Sequence, residues 1–153
     1  MIIGIGVDTV DIARFERQLE RTPKLRERLF ADTERGLSIP SLAARFAAKE
    51  ALIKALGDSH GLGWHDMVVA RGQDRAPVFR RSEALALLLV SLAAERVHLS
   101  MTHDAGVATA FVIVEAADGA GARASKRGPA EEPRPAGEWP GEPSEWWMRG
   151  SDE

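Results

Sequence analysis

A chain of 153 residues has room for one compact domain, and with no cysteine it offers neither thiol chemistry nor a disulfide framework. The formal net charge is only −3, and up to residue 118 the 15 basic residues are matched by 16 acidic ones. Nucleic acid is therefore not an expected partner, since binding to a phosphate backbone shows as a basic excess.

Residues 2–10 alternate as a strand, with Ile3, Ile5 and Val7 on one face and Gly4, Gly6 and Asp8 on the other. Asp11 is placed to cap a helix through about Leu19, and a short helix is expected near 25–30. Ser38, Ile39, Pro40 and Ser41 open a longer helix that Gly57 closes. Gly61 to Gly63 lead into a strand near 67–71, followed by a short extended piece at 77–80 and a Leu-rich helix over 82–94. Strands at 97–102 and 107–114 complete the order, joined by a hairpin turn at His103, Asp104, Ala105 and Gly106. Helices with a mainly antiparallel sheet in this order predict an α+β fold over residues 1–118.

From Gly119 to Glu153 the composition shifts to Pro, Gly, Glu and Arg without an apolar period, which predicts a disordered tail. Three of the four tryptophans, Trp139, Trp146 and Trp147, fall there. No apolar run is long enough to span a bilayer, and no charged-then-apolar leader precedes the first strand, so neither a membrane anchor nor export is expected. A reducing cytoplasm is the default location.

The most informative segment is residues 45–57, a helix apolar nearly all the way round that still carries Arg45, Lys49, Glu50 and Lys54. Such a helix belongs in an interior, and charges there need partners. At about 100° per residue, Leu42, Phe46, Leu52, Ile53 and Leu56 make a bulky side interrupted by Arg45 and Lys49. Ala43, Ala44, Ala47, Ala48, Ala51 and Ala55 make a smooth side where another backbone can come close. Glu50 and Lys54 lie one turn apart at the seam.

Asp8 shares its face with two glycines, which weaken a strand unless something must approach closely. A carboxylate beyond such a surface suits a hard cation or ligand, although Asp at a strand end is also a common turn or cap former. Glu50 is the natural second carboxylate, because Mg²⁺ is usually held by one or two carboxylates with phosphate oxygens and water. Lys54 then supplies a point charge for a phosphate oxygen; the simpler alternative is a Glu50–Lys54 pair. A lone His at a strand end, such as His103, is more often structural than functional. Ser100 and His103 fall on opposite faces and do not make a nucleophile-base pair, and the four histidines lack a compact zinc spacing.

Taken together, Gly4-Ile5-Gly6-Val7-Asp8 with Arg14-Phe15, the helix from Arg45 to Gly57, and Ser100-Met101-Thr102-His103-Asp104 before a terminal apolar strand resemble the holo-acyl-carrier-protein synthases of the 4'-phosphopantetheinyl transferase superfamily. The likeness covers about residues 2–116. It implies transfer of the phosphopantetheine arm of coenzyme A to a serine of apo-acyl carrier protein, releasing adenosine 3',5'-bisphosphate in support of fatty acid or polyketide synthesis. It further implies Mg²⁺ on Asp8 and Glu50, Lys54 on the phosphoryl oxygens, and Arg45 and His103 at the 3'-phosphate of coenzyme A. Arg14, with Arg17 and Arg21, would meet the acidic carrier protein. The serine proton would pass by a metal-ordered water to Asp8, Glu50 or Asp104. Members of this short type are trimers with the active site between protomers, which would put His103 and Asp8 on different chains. The chain departs from the family pattern at Thr102, where Ser is common, at Glu83, where Gly is common, and at Arg75-Ala76-Pro77, where Gly-x-Pro is common. A noncatalytic trimer of the same fold and a different metal-dependent phosphoesterase are the alternative readings.

Overall fold

The computed structural model describes residues 1–116; the boundary expected at 118 and the tail lie outside the described residues. The order is β1 (Ile2–Asp11), α1 (Ile12–Arg21), α2 (Leu25–Leu29), α3 (Asp32–Arg35), α4 (Ile39–Leu56), a 3-10 turn at Trp64–Asp66, β2 (Val69–Arg71), β3 (Pro77–Phe79), α5 (Glu83–Ser91), β4 (Ala94–Asp104) and β5 (Val107–Ala116). The main sheet is antiparallel in the order β1-β5-β4, and β2 and β3 form a separate hairpin. This is the expected α+β arrangement, a sheet packed on a long buried helix.

What brings the helix so close to the sheet is a missing side chain on one partner and a small one on the other. A Cβ added to Gly4 would collide with the carbonyl oxygen of Ala55, and one added to Gly6 with that of Ala51. The smooth side of α4 is therefore the side that meets β1, and its six alanines are all buried. Val112 and Val114 of β5 fill the space beside them, with Leu52, Leu85 and Leu89 closing the same cluster. A second cluster gathers under α1, where Phe15 packs edge-on to Phe30 and stacks on Phe46 at 5.4 Å.

The ends of the elements follow ordinary capping chemistry. Asp11 Oδ1 accepts the Arg14 N–H at 2.7 Å, so the strand passes directly into α1. Gly57 ends α4 in the left-handed region at φ 86°.

Four expectations need correction. Ile3 does not share the outer face of Ile5 and Val7: a register shift between Ile2 and Gly4 turns it toward the core cluster. The helix expected over 82–94 stops at Ser91, because Ala93 adopts φ 54° and β4 begins at Ala94. The hairpin turn is tighter than expected, since β4 runs through His103 and Asp104 and only Ala105 and Gly106 turn, both at positive φ. The helix α3 was not foreseen at all.

Candidate active site

Two groups of polar side chains hang from α4, at opposite edges of the main sheet. The first is at the β1 edge. Gly4, Gly6 and Asp8 face α4, and the close approach enforced by the glycines carries Asp8 to Lys54, whose Nζ donates to Asp8 Oδ1 at 2.6 Å and to the Val7 carbonyl at 3.2 Å. Lys54 thus bridges to the strand. Asp8 is mostly buried, and burial raises its carboxyl above the usual range even though Lys54 pulls the other way. Glu50, one turn before Lys54, is pushed up to about 7, first by burial and then by the neighbouring Asp8 charge, with Lys54 only partly offsetting both. Two buried carboxylates, each raised by burial and Glu50 further by the charge of Asp8, beside a single ammonium form a site short of positive charge. That is a donor set suited to a hard divalent cation that keeps water or phosphate for its other ligands. Among the described residues no group of three or more His, Cys, Asp or Glu is placed to enclose a metal by itself.

The second group is at the β4 edge. Arg45, from the first half of α4, lines a cavity of about 310 Å³ together with Ser41, Arg71, Arg75, Thr102 and His103. Among the described residues no carboxylate lines it. His103 pairs with Ala108, a buried residue of β5, so it stands on the α4 side of the sheet, as alternation predicts. Ser100 and Thr102 pair with Phe111 and Thr109, which places their positions on the opposite side, although Thr102 still reaches the cavity rim. Arg45 Nη1 donates to the Ser41 carbonyl at 3.2 Å, and its Nε is buried without a hydrogen-bond partner, 4.0 Å from Glu34 Oε1. Burial lowers the Arg45 pKa from its ordinary value, with Glu34 opposing and the nearby Arg71 reinforcing the shift.

Between the two groups, Lys49 is fully buried and shares the carboxylate of Glu34 with Arg45. Its three N–H donors reach Glu34 Oε2 at 2.8 Å, the Leu29 carbonyl at 2.8 Å and the Trp64 carbonyl at 3.1 Å. Glu34 in turn takes the N–H groups of Ala31 and Val69. The partner that the sequence demanded for a buried lysine lies in the helix that the sequence did not announce.

Arg14, Arg17 and Arg21 are all exposed on α1, and Phe15 and Leu19 are buried on its other side. At about 100° per residue the three arginines fall within roughly 60° of arc, a single basic stripe beginning where β1 ends. Asp104 Oδ1 accepts the N–H of Ala105, which is the bond of a turn former. Arg71 was missed in the sequence as a site residue, and Arg75 was seen only as a departure from a pattern. Their spacing has no helical or strand period, and only the β2–β3 hairpin brings them to one cavity.

The sequence profile of the 4'-phosphopantetheinyl transferase superfamily matches residues 4–112. A holo-[acyl-carrier-protein] synthase of Leifsonia xyli is 56% identical over 115 residues, covering 75% of this chain and 98% of the relative. One from Clavibacter michiganensis is 58% identical over 115 residues, with 75% and 97% covered. Among solved structures, the Neisseria meningitidis holo-[acyl-carrier-protein] synthase superposes with a TM-score of 0.69 at 31% identity, covering 75% of this chain and 99% of that one. The Helicobacter pylori synthase in complex with coenzyme A gives 0.64 at 33% identity, covering 72% and 99%. With the profile spanning most of the chain and relatives more than half identical over three quarters of it, the protein belongs to the 4'-phosphopantetheinyl transferase superfamily.

Proposed function

We propose that this chain is a phosphopantetheinyl transferase that moves the 4'-phosphopantetheine arm of coenzyme A onto a serine of apo-acyl carrier protein, leaving adenosine 3',5'-bisphosphate. The observation that carries the reading is the β1 edge site, where Asp8 and Glu50 face one another beside Lys54 because Gly4 and Gly6 let strand and helix touch. The names of the relatives, and a neighbour solved with coenzyme A, support the same activity.

In this reading Asp8 and Glu50 would hold Mg²⁺, which would supply positive charge to the phosphoryl oxygens of coenzyme A. The ammonium of Lys54 lies within reach of the same oxygens and stabilises charge on the departing bisphosphate. The serine oxygen forms the new bond to phosphorus, its proton goes to a carboxylate of the site, and the bisphosphate leaves with the bridging oxygen. Such a reaction asks a protein mainly for positioning and preorganised charge, and these residues supply both. Asp104, committed to its turn, is the least suited of the three candidate proton acceptors.

Arg45 and His103 take the 3'-phosphate of coenzyme A at the cavity of the β4 edge. Arg14, Arg17 and Arg21 receive the acidic carrier protein beside the end of β1. The two halves of the site are separated by β5, roughly 10 Å across two strand spacings, and Arg45 stands about 140° around α4 from Glu50. A homotrimer with intersubunit active sites reconciles this, one protomer supplying the carboxylates and its neighbour the arginines. The outer face of the sheet supports it: Ile5, Val7 and Phe111 are 57%, 52% and 41% exposed there, an apolar strip between the two edges. Cytoplasmic action fits; among the described residues no helix is long and apolar enough to cross a membrane.

The deciding experiment is mass spectrometry of an apo-acyl carrier protein after incubation with coenzyme A, Mg²⁺ and this protein. A gain of the phosphopantetheine mass is expected. Hydrolysis of coenzyme A without that gain would favour a phosphoesterase, and neither product would favour a noncatalytic binding trimer.

A further inference from the structure

The β2–β3 hairpin turns through Gly72 to Ala76, closed by Gly72 N–H to the Ala76 carbonyl at 2.8 Å and by Arg75 N–H to the Gly72 carbonyl at 3.1 Å. Arg75 sits in this turn at φ 65°, the left-handed region that favours glycine. An arginine there gains nothing from the backbone, so a side-chain role has to be sought for it. Its side chain lines the cavity that also holds Arg45, Arg71 and His103. Arg71 and Arg75 make no side-chain hydrogen bond or ion pair among the described residues, and the buried Arg45 Nε has no hydrogen-bond partner. Three arginines and a histidine thus line a cavity of about 310 Å³ with Ser41 and Thr102, and no acidic residue lines it among the described residues. Arg45 has Glu34 at 4.0 Å on its inner side, whereas Arg71 and Arg75 have no acidic partner among the described residues; like charges so gathered are stabilised by an anion of more than one negative charge, and guanidinium forks match the oxygens of a phosphate monoester.

We infer that Arg75, with Arg71, is a specificity-determining residue that completes a phosphate-monoester pocket and makes the enzyme select coenzyme A over its 3'-dephospho form. The inference rests on the proposed function and adds to it the residues that read the non-migrating end of the substrate. Arg75 touches nothing at the carboxylates of the β1 edge, so it acts on selection and leaves bond breaking to the other half of the site.

The test compares wild type with Arg75→Gly and Arg75→Lys, using coenzyme A and 3'-dephospho-coenzyme A as alternative donors. Glycine is at home at this φ, so Arg75→Gly keeps the fold, and its melting temperature should equal or exceed that of wild type. It should lower kcat/KM for coenzyme A about tenfold and that for the dephospho form less than twofold, and Arg75→Lys should keep part of the preference as a point charge without a fork. An equal loss on both donors, an unchanged ratio, or a wild type indifferent to the 3'-phosphate would each overturn the inference. Calorimetry with adenosine 3',5'-bisphosphate and adenosine 5'-monophosphate separates its failure from that of the proposed function. Even if wild type transferred nothing to a carrier protein, loss of the bisphosphate preference in Arg75→Gly would uphold the pocket, and its retention would sink it.

Discussion

One helix, α4, carries two acid-lysine contacts that differ in nearly every respect. Lys49 and Glu34 are 0% and 1% exposed, and each polar atom of the pair is occupied by the other or by backbone, with Arg45 Nε a further 4.0 Å from Glu34 Oε1. Lys54 and Asp8 meet at the edge, with the lysine 42% exposed and Glu50 beside them raised to about 7. The first contact is closed, with no capacity left for a ligand. The second is left short of positive charge, which is the condition under which a cation or a phosphoryl group gains by arriving. A buried, satisfied ion pair holds chain segments in register, here α3 and the start of β2 against α4, whereas an edge pair with a further carboxylate beside it is a candidate site.

The sharpest way to break this comparison is to remove charge at the edge. Glu50→Gln and Asp8→Asn should each lower kcat at saturating Mg²⁺ by on the order of 10²–10³, as loss of preorganised charge at a reacting centre does, measured by carrier-protein mass shift. Near wild-type turnover in both would remove the metal assignment. The stability consequence runs the other way. Because the folded pKa of Glu50 lies near 7, above its ordinary 4.5, its contribution is fully present below about 4.5 and is lost as pH rises through 7. Without Mg²⁺, Glu50→Gln should therefore match wild type at pH 4.5 and exceed it by on the order of 2 kcal/mol at pH 8 in urea titration. Added Mg²⁺ should close that gap by stabilising wild type alone.

The buried contact should respond in reverse. Glu34→Ala leaves Lys49 charged or neutral in a dry site with two carbonyls and no acid, and breaking such a pair costs about 3–5 kcal/mol. The folded fraction should keep kcat within about threefold of wild type, since the pair lies away from the carboxylates that stabilise charge, and any larger change should fall on KM for coenzyme A through Arg45, 4.0 Å from Glu34. A stable Glu34→Ala protein with lost activity would invert the distinction drawn between the two contacts.

Most of what separates them was legible only in part. The Gly4, Gly6 and Asp8 alternation and the alanine face of α4 were readable because both follow strict periods, and their meeting could be inferred from two surfaces lacking side chains. Asp8, Glu50 and Lys54 followed from that. Glu34 was not readable: it lies in a four-residue helix too short to carry a period, and nothing local in the sequence says that Lys49 will turn toward it. Arg71 and Arg75 escaped for a related reason, since a hairpin of two three-residue strands sets their placement. The bulge at Ile3 is likewise invisible to an alternation rule that assumes unbroken pairing.

Smaller effects are expected at α1, where nothing bears on either contact directly. Arg14→Glu should raise KM for the carrier protein about tenfold and that for coenzyme A little, with the difference shrinking as salt screens the interface. Equal effects on the two substrates, or a difference indifferent to ionic strength, would take the docking role away from this helix.

The smallest effect is expected from removing residues 119–153, which bear on neither ion pair if the sequence-level boundary is right. A segment rich in Pro, Gly and Glu offers too little apolar area to offset the entropy of ordering it, so melting temperature and transfer rate should be unchanged within about 2 °C and twofold. The tryptophans make this a real test, because each ring can bury on the order of 200 Å² if it finds a groove. After truncation Trp64 is the single tryptophan that remains, and its ring already packs against Phe46 at 5.6 Å. Emission from the full chain should therefore be the sum of a protected component that survives truncation and a red-shifted, quencher-accessible component that disappears with it. A blue-shifted, protected component lost together with several degrees of melting temperature would mean that the last 35 residues pack on the domain. The exposed strip of Ile5, Val7 and Phe111 would then need to be tested as their seat before being assigned to a trimer.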